Sequence, residues 1–458
     1  MKKSAFLRLP LLALLLVACQ PAATPTAEPE PTDVPIVAAT DTAQPTASAT
    51  MAPTASPEPT LVPPTEITYV AIHGGRPHAD WETSQVDDFI AANPDIAVDL
   101  KKLNMYSRPV PNTIDSRMNF DPAPDVVSGF MAGAFLDFVE AGQVADISDL
   151  WEANGWYELF PQSVIDMASV DDKQYFVPTM AQWHPIFFRA DIFERHDLTP
   201  PESWDELLGV CDTLSSAGQV PFTVSIAGWS PPAARWFTYL NLRVNGPEFH
   251  AELMRGRESY QDDRVRAVFA HWQILFDHNC FAHDAVHTGY GTAAAAWQDG
   301  DAAMYLLGEW LSESWPEGFD DNTDFFAFPI IDPEVPNGEI GHHYGAFMHA
   351  DAPNPDLARR LLTHLGSLEA QQSFVDSVGR ISMHSDVDIS ALGPMYTRGQ
   401  AMLANAGFLT SLYELGTHEA MASIGLSGFV DFWHNPGNIE TYLATMEARR
   451  EREYGPLP

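Results

Sequence analysis

Basic residues are scarce. Against 62 Asp and Glu the 458-residue chain sets only 24 Lys and Arg, a formal charge of -38. Three of those cations, Lys2, Lys3 and Arg8, lie in the first eight positions. A body this acidic repels phosphate backbones and anionic lipid surfaces, which excludes nucleic acid as a partner, and the charge itself reads as solubility. Long apolar runs are missing too. The first one, Leu9 to Ala18, is ten residues, about 15 Å as a helix and half of a bilayer core, and no later run reaches the roughly 18 residues a membrane span needs. There is no Gly-x-Ser-x-Gly nucleophile motif and no internal repeat. With 62 acids, no pair of carboxylates stands out as the acid and base of a glycosidase. Cysteine is limited to Cys19, Cys211 and Cys280.

What is present is apolar enough to fold: 45% apolar residues, 11% aromatics and 12 Trp. The length is too great for one ordinary core and enough for two sizeable lobes. The start has a basic beginning, an apolar run and a small residue before Cys19, the three parts of an export signal. Leu16-Val17-Ala18-Cys19 is similar to the lipobox of bacterial lipoproteins. That resemblance implies cleavage after Ala18 and a lipid on Cys19, anchoring the protein to the outer face of the bacterial cell membrane. Residues 20–65 hold 11 Pro, 10 Thr and five acids, with no Lys, Arg or aromatic residue. Nothing there repays the entropy of folding, so 19–65 reads as a Pro-stiffened tether reaching at most ~140 Å if extended as polyproline II. In an exported protein the remaining Cys211 and Cys280 are either a disulfide or two buried thiols.

Composition changes at Glu66. Ile67 to Ile72 reads as a strand that runs into His73-Gly74-Gly75-Arg76. A helix follows with Trp81, Val86, Phe89 and Ile90 at helical spacing, closed by Asn93-Pro94. Ile96, Val98 and Leu100 alternate as a second strand, Asp125-Val126-Val127 is a third, and Phe135, Leu136 and Val139 mark another helix. Strands alternating with helices predict an α/β fold with parallel sheets. Ser203 with Glu206 forms a capping box in front of an apolar run. Phe222 to Ile226 looks β-like, Val265 to Phe276 and Thr292 to Gln298 look helical, Ala302 to Leu306 is a small-residue strand, and Asn438 to Glu453 is a charged amphipathic helix.

The order of these motifs resembles the extracellular solute-binding proteins of carbohydrate ABC transporters, the family that includes maltose-binding protein. The landmarks are "NPDIAVDL" at 93–100, "PDVVSG" at 124–129, "AGQVADISDL" at 141–150, "YFVPTMAQWHPIFFRADIF" at 175–193, "LTPPESWDELL" at 198–208 and "GDAAMYLLGEWL" at 300–311. The resemblance covers roughly 66–450 and implies a two-lobed periplasmic-binding-protein-like fold of type II. Its lobes are joined by crossover hinges and close over a ligand. By that pattern the first lobe is 66–180 with 347–393 and the second is 181–346 with 394–458. It implies a carbohydrate ligand, an ABC transporter permease as partner, a monomer, no cofactor and no catalysis. Two departures stand out. Gln182 occupies the place of a carboxylate that follows the first crossover in maltose-binding protein, and Gly129 with Phe130 falls where that protein has a stacking Trp.

Sugars need aromatic planes for their C–H faces and fixed polar groups for their hydroxyls. Gln182, Trp183 and His184, directly after the expected crossover, supply an amide, an indole and an imidazole, although Trp183 would equally pack between lobes. Glu309 and Trp310 lie in the Gly-x-Trp turn, where the resemblance implies a stacking Trp; an exposed carboxylate at Glu309 would be ordinary. Trp229 sits in a loop after a β-like run and is also a candidate for interlobe packing. Arg76 and Trp81 follow the first strand, where α/β folds collect ligands, though Trp81 also suits the core of its helix. Tyr344 lies in "HHYGAF", read as the return crossover, and Tyr413-Glu414 completes the set. His283 with His287, and His342-His343-His349, are paired or clustered without a regular helix to align them, so no metal is assigned. The alternatives left open are a secreted glycoside hydrolase-like enzyme and a binder of a polar non-sugar solute.

Overall fold

A computed structural model describes residues 64–73, 75–104, 117–228, 231–282, 285–316 and 318–457. The expected signal, Cys19, nearly all of the tether, Trp229 and His283 lie outside the described residues. Val62–Pro458 forms one compact unit, and among the described residues no helix is long and apolar enough to cross a membrane.

The first sheet is built on β1 (Thr65–His73), β2 (Ile96–Asn104) and β3 (Val126–Phe130), with β4 (Val177–Trp183), β9 (Glu339–Met348) and β10 (Leu409–Thr410). Its order is β10-β9-β3-β1-β2, with β4 also paired to β9. β1 runs parallel to both β2 and β3, in register from Thr65 opposite Ile96 to His73 opposite Asn104. Ile67, Tyr69, Val70, Ala71 and Ile72 are all buried, the near-continuous apolar pattern of a strand covered on both faces. The second sheet contains β5 (Ile186–Arg189), β6 (Val220–Phe222), β7 (Ala302–Leu306) and β8 (Thr323–Phe326), in the order β8-β5-β7-β6.

Helices cover these sheets for reasons visible in the chain. α1 (Arg76–Ala92) starts with Pro77 in its first turn and buries Trp81, Val86 and Phe89. Burying a side chain such as Phe89 contributes about 2–3 kcal/mol. α2 (Gly133–Glu140) follows β3 directly. α3 (Trp204–Ser216) carries both halves of the capping box: Glu206 N donates to Ser203 Oγ at 3.4 Å, and Ser203 N donates to Glu206 Oε2 at 3.0 Å. α4 (Pro231–Met254) kinks where Gly246 takes φ 82° before Pro247. α5 (Asp263–Asp277), α6 (Tyr290–Gln298), α7 (Leu368–Val378) and α8 (Pro394–Ala404) follow, then the short α9 (Tyr413–Gly416), α10 (Glu419–His434) and α11 (Ile439–Tyr454). A disulfide joins Cys211 to Cys280, Cα to Cα 5.0 Å, pinning α3 to the end of α5.

Sheet membership departs from the expected lobe limits at three places. The chain stays in the first sheet through Trp183 and enters the second at Ile186, so the crossing falls at His184-Pro185 rather than at 180. It returns to the first sheet at β9, whose pairing with β4 begins at Gly341, ahead of 347. Residues 394–410 pack with the first core: Leu403 and Leu409 belong to it, and Ser163 donates to the Leu403 carbonyl at 2.9 Å. The β-like run at 222–226 is strand only as far as Phe222. That first core also continues across the crossing to Phe187, Tyr305 and Trp297.

Candidate functional site

Both sheets are mixed rather than parallel throughout, since β9 runs antiparallel to β3 and β4, and β5 antiparallel to β7 and β8. In open α/β sheets ligands collect beyond the carboxyl ends of the parallel strands. Here β3 ends at Phe130 in the first sheet and β7 ends at Leu306 in the second. A chain of side chains connects the two ends through the crossing. Phe130 meets His342 edge to face at 5.0 Å, and His342 stacks on His184 at 5.2 Å. Gly308, two residues beyond β7, lies against His184: a Cβ on it would stand 2.8 Å from His184 Cε1 and 2.2 Å from Trp310 Nε1. Glycine is therefore required for the Trp310 indole to fold back over its own turn beside His184. Tyr290, at the start of α6, tilts against Trp310 at 5.6 Å.

Several polar atoms of this seam are fixed by buried partners. Arg235 from α4 is buried and its Nε donates to His184 Nδ1 at 3.1 Å. That bond makes Nδ1 the acceptor and leaves the proton on Nε2. The His184 carbonyl accepts from the Tyr239 hydroxyl at 2.7 Å, anchoring the crossing itself. Burial holds both His184 and His342 well below the usual histidine range, and the Arg235 charge adds to it, so both rings are neutral. The Arg235 charge is in turn offset by Glu414 and Glu309. Glu309, 1% exposed, accepts from the Trp183 amide at 3.3 Å and from Arg380 Nη1 at 3.2 Å. Burial pushes its carboxyl up to about 7, with Arg380 opposing. Among the described residues, His184 Nε2 and His342 Nδ1 are buried with no hydrogen-bond partner.

The family model for bacterial extracellular solute-binding proteins matches residues 78–372, more than half of the chain. The chain belongs to that family. An ABC transporter extracellular-binding protein of Pyrococcus horikoshii is 24% identical over 288 residues, 62% of this chain and 63% of its own length. This chain thus spans under two thirds of that relative. Among solved structures, a bacterial solute receptor with an exclusive preference for β-D-galactopyranose superposes with a TM-score of 0.78 at 19% identity, covering 85% of this chain and 99% of its own. A chitin oligosaccharide binding protein gives 0.68 at 18% identity, covering 84% and 98%. The two-lobed type II fold is shared with these structures.

Within this solute-binding protein the residues singled out from sequence separate into two groups. His184, Trp310 and Glu309 gather at the seam, Glu309 as a buried ion-pair partner rather than an exposed turn carboxylate. Gln182 is half-buried on β4 opposite His342. Trp183, one residue on, is packed away: it is fully buried against Phe325 at 4.6 Å, and its ring fills the space left by Gly399, where a Cβ would come within 2.5 Å. Trp81 is likewise core, its Nε1 donating to the Ala370 carbonyl at 3.3 Å and its ring edge-on to Phe374 at 4.9 Å. Arg76 is exposed at the first turn of α1. Tyr344 is 1% exposed and lies inside the first sheet rather than at a crossover. Its hydroxyl lies 2.5 Å from Glu82 Oε1 and within hydrogen-bond reach of Ser128 and the Ile72 carbonyl. Sequence reasoning missed Arg235, Arg380 and Tyr290. Arg235 had a signal: it is a cation inside the apolar run "PPAARWFTYL", and such a residue is buried only with a partner.

Proposed function

We propose that the protein captures a carbohydrate between its two sheets and delivers it to the membrane permease of an ABC importer, without covalent chemistry. The observation that carries this reading is Trp310, folded over Gly308 against the His184–His342–Phe130 seam. Trp310, Tyr290 and Phe130 offer aromatic planes for the C–H faces of a pyranose. Gln182, His184 Nε2–H and His342 offer hydroxyl partners, and the one on His184 is oriented before the ligand arrives. The Arg235 bond fixes the His184 tautomer, so the ligand meets a donor there and does not spend binding energy choosing one. The superposition on a galactopyranose receptor and a chitin-oligosaccharide binder supports a saccharide as cargo. Lobe closure about His184-Pro185 and β9 would bring the two strand ends together over it. The lipobox-like sequence at Cys19 and the Pro/Thr-rich stretch after it support a lipid-anchored protein tethered outside the membrane, acting as a monomer.

The test is a thermal-shift screen of the full chain against mono- and oligosaccharides, with product analysis of each mixture. We expect stabilisation by at least one sugar with no product formed. Trp310→Ala should weaken the best ligand at least tenfold by calorimetry while leaving the unliganded melting temperature nearly unchanged. Hydrolysis of a candidate glycan, or full affinity in Trp310→Ala, would refute the reading.

A further inference from the structure

Backbone meets backbone between α2 and α9. Gly133 opens α2, three residues beyond Phe130, and Gly416 ends α9, two residues beyond Glu414, whose carboxylate offsets Arg235. The two glycines touch: a Cβ on Gly133 would stand 1.9 Å from the Gly416 carbonyl oxygen and 2.5 Å from its carbon. No side chain fits between them. At the other end of α2, Glu140 pairs with Arg255 and, at 3.2 Å, with Arg257, both just beyond α4. α2 belongs to the first sheet's side, whereas α4 and α9 pack in the second core. The glycine contact at the start of α2, three residues beyond Phe130, and the charge clasp at its end therefore join the two halves at both ends of this helix.

We propose that this junction makes the cleft blind at the α2–α9 side, so that a saccharide is held by a chain terminus and extends only toward Tyr290 and Trp310. This rests on the carbohydrate reading above. Gly133 is then a specificity-determining residue that never touches the ligand: its missing Cβ lets the wall close. An interior stretch of a polysaccharide, which must leave the cleft at both ends, would be refused, and so would a cyclic oligosaccharide.

The geometry supplies a matched pair of variants. A methyl on Gly133 collides with backbone, whereas a Cβ on Gly416 meets only Met254 Cγ at 3.9 Å, an ordinary contact. Calorimetric titration of the full chain should therefore show Gly133→Ala binding its best linear saccharide at least tenfold more weakly, and Gly416→Ala binding it within twofold of the parent. On the parent protein, the linear oligosaccharide should bind at least a hundredfold more tightly than its cyclic counterpart built of the same unit. Equal binding of linear and cyclic forms, or parental affinity in Gly133→Ala, would overturn the blind end and leave the carbohydrate reading standing. Failure of every saccharide to bind would overturn both. Should Gly133→Ala not fold, the linear-against-cyclic comparison on the parent decides alone.

Discussion

Glu82 should make this protein less stable as pH rises, and Glu82→Gln should remove that loss. The carboxyl sits on α1 with no exposed surface, held by the Tyr344 hydroxyl at 2.5 Å, with the His78 Nε2 3.7 Å away. Burial pushes it up from 4.5 to about 8, against the opposing pull of Tyr344. The sign follows from proton counting. Between about pH 4.5 and 8 the folded protein keeps the proton while the unfolded chain has lost it, so unfolding releases a proton and stability falls with pH. The slope is about 1.4 kcal/mol per pH unit, and across that interval the loss accumulates to roughly 5 kcal/mol. Below the lower limit the effect vanishes, because both states are protonated.

Glutamine is the neutral isostere of the protonated acid and keeps the oxygen that Tyr344 needs. Urea unfolding of parent and Glu82→Gln, measured side by side from pH 5 to pH 8.5, isolates the group. His78, which burial pushes down to about 3, adds a slope of the opposite sign below the usual histidine range, but it is common to both proteins and cancels in the difference. Near pH 5 the two should be within about 1 kcal/mol; by pH 8 the variant should be the more stable by several kcal/mol. Parallel stability curves across this range would refute the reasoning, since they would mean that Glu82 ionises as freely in the folded state as in the unfolded chain.

Three further outcomes follow from single contacts. Replacing Cys211 and Cys280 together with Ala removes a bridge across 69 residues and should lower unfolding free energy by about 4 kcal/mol from chain entropy, read as a lower urea midpoint. Arg243→Ala strands the buried Glu339, its ion-pair partner at 2.6 Å, and should cost about 3–5 kcal/mol. Arg243→Lys should recover little of it, because Nε and Nη2 both donate to the Phe328 carbonyl. Ser203→Ala deletes one half of the capping box and should cost about 1 kcal/mol with saccharide binding unchanged.

How much of this was readable without coordinates depends on how far apart the deciding residues lie. β1, α1, the capping box of α3 and the strand Ala302–Leu306 follow from patterns within a dozen residues, and the structure contains each of them. The limits of the two halves do not. "HHYGAF" reads as the return crossover, yet it is the middle of β9, paired on one side to β3 and on the other to β4. Both pairings are made by residues more than 150 positions away. Helix α8 joins the first core because Ser163 and Leu403 meet, which neither segment announces.

The sorting of the tryptophans shows the same limit at the scale of one side chain. Trp183 ends a strand and Trp310 follows one, both at the boundary between halves, and both are flanked by residues able to bind a sugar. What separates them is a glycine beside each. Gly399, 216 positions from Trp183, leaves the space into which that indole packs, so the ring is spent on the core. Gly308, two positions from Trp310, leaves the space over which that indole folds, so its ring stays beside His184. The near glycine was visible as a Gly-x-Trp turn and the distant one was not. A tryptophan's role is therefore legible from sequence when the residue that makes room for it is local, and Trp183 illustrates the opposite case. Gly399→Ala should accordingly disturb Trp183 and cost about 1–3 kcal/mol through overpacking, with saccharide affinity retained in the folded fraction. Loss of binding without loss of stability would instead put Trp183 back at the ligand.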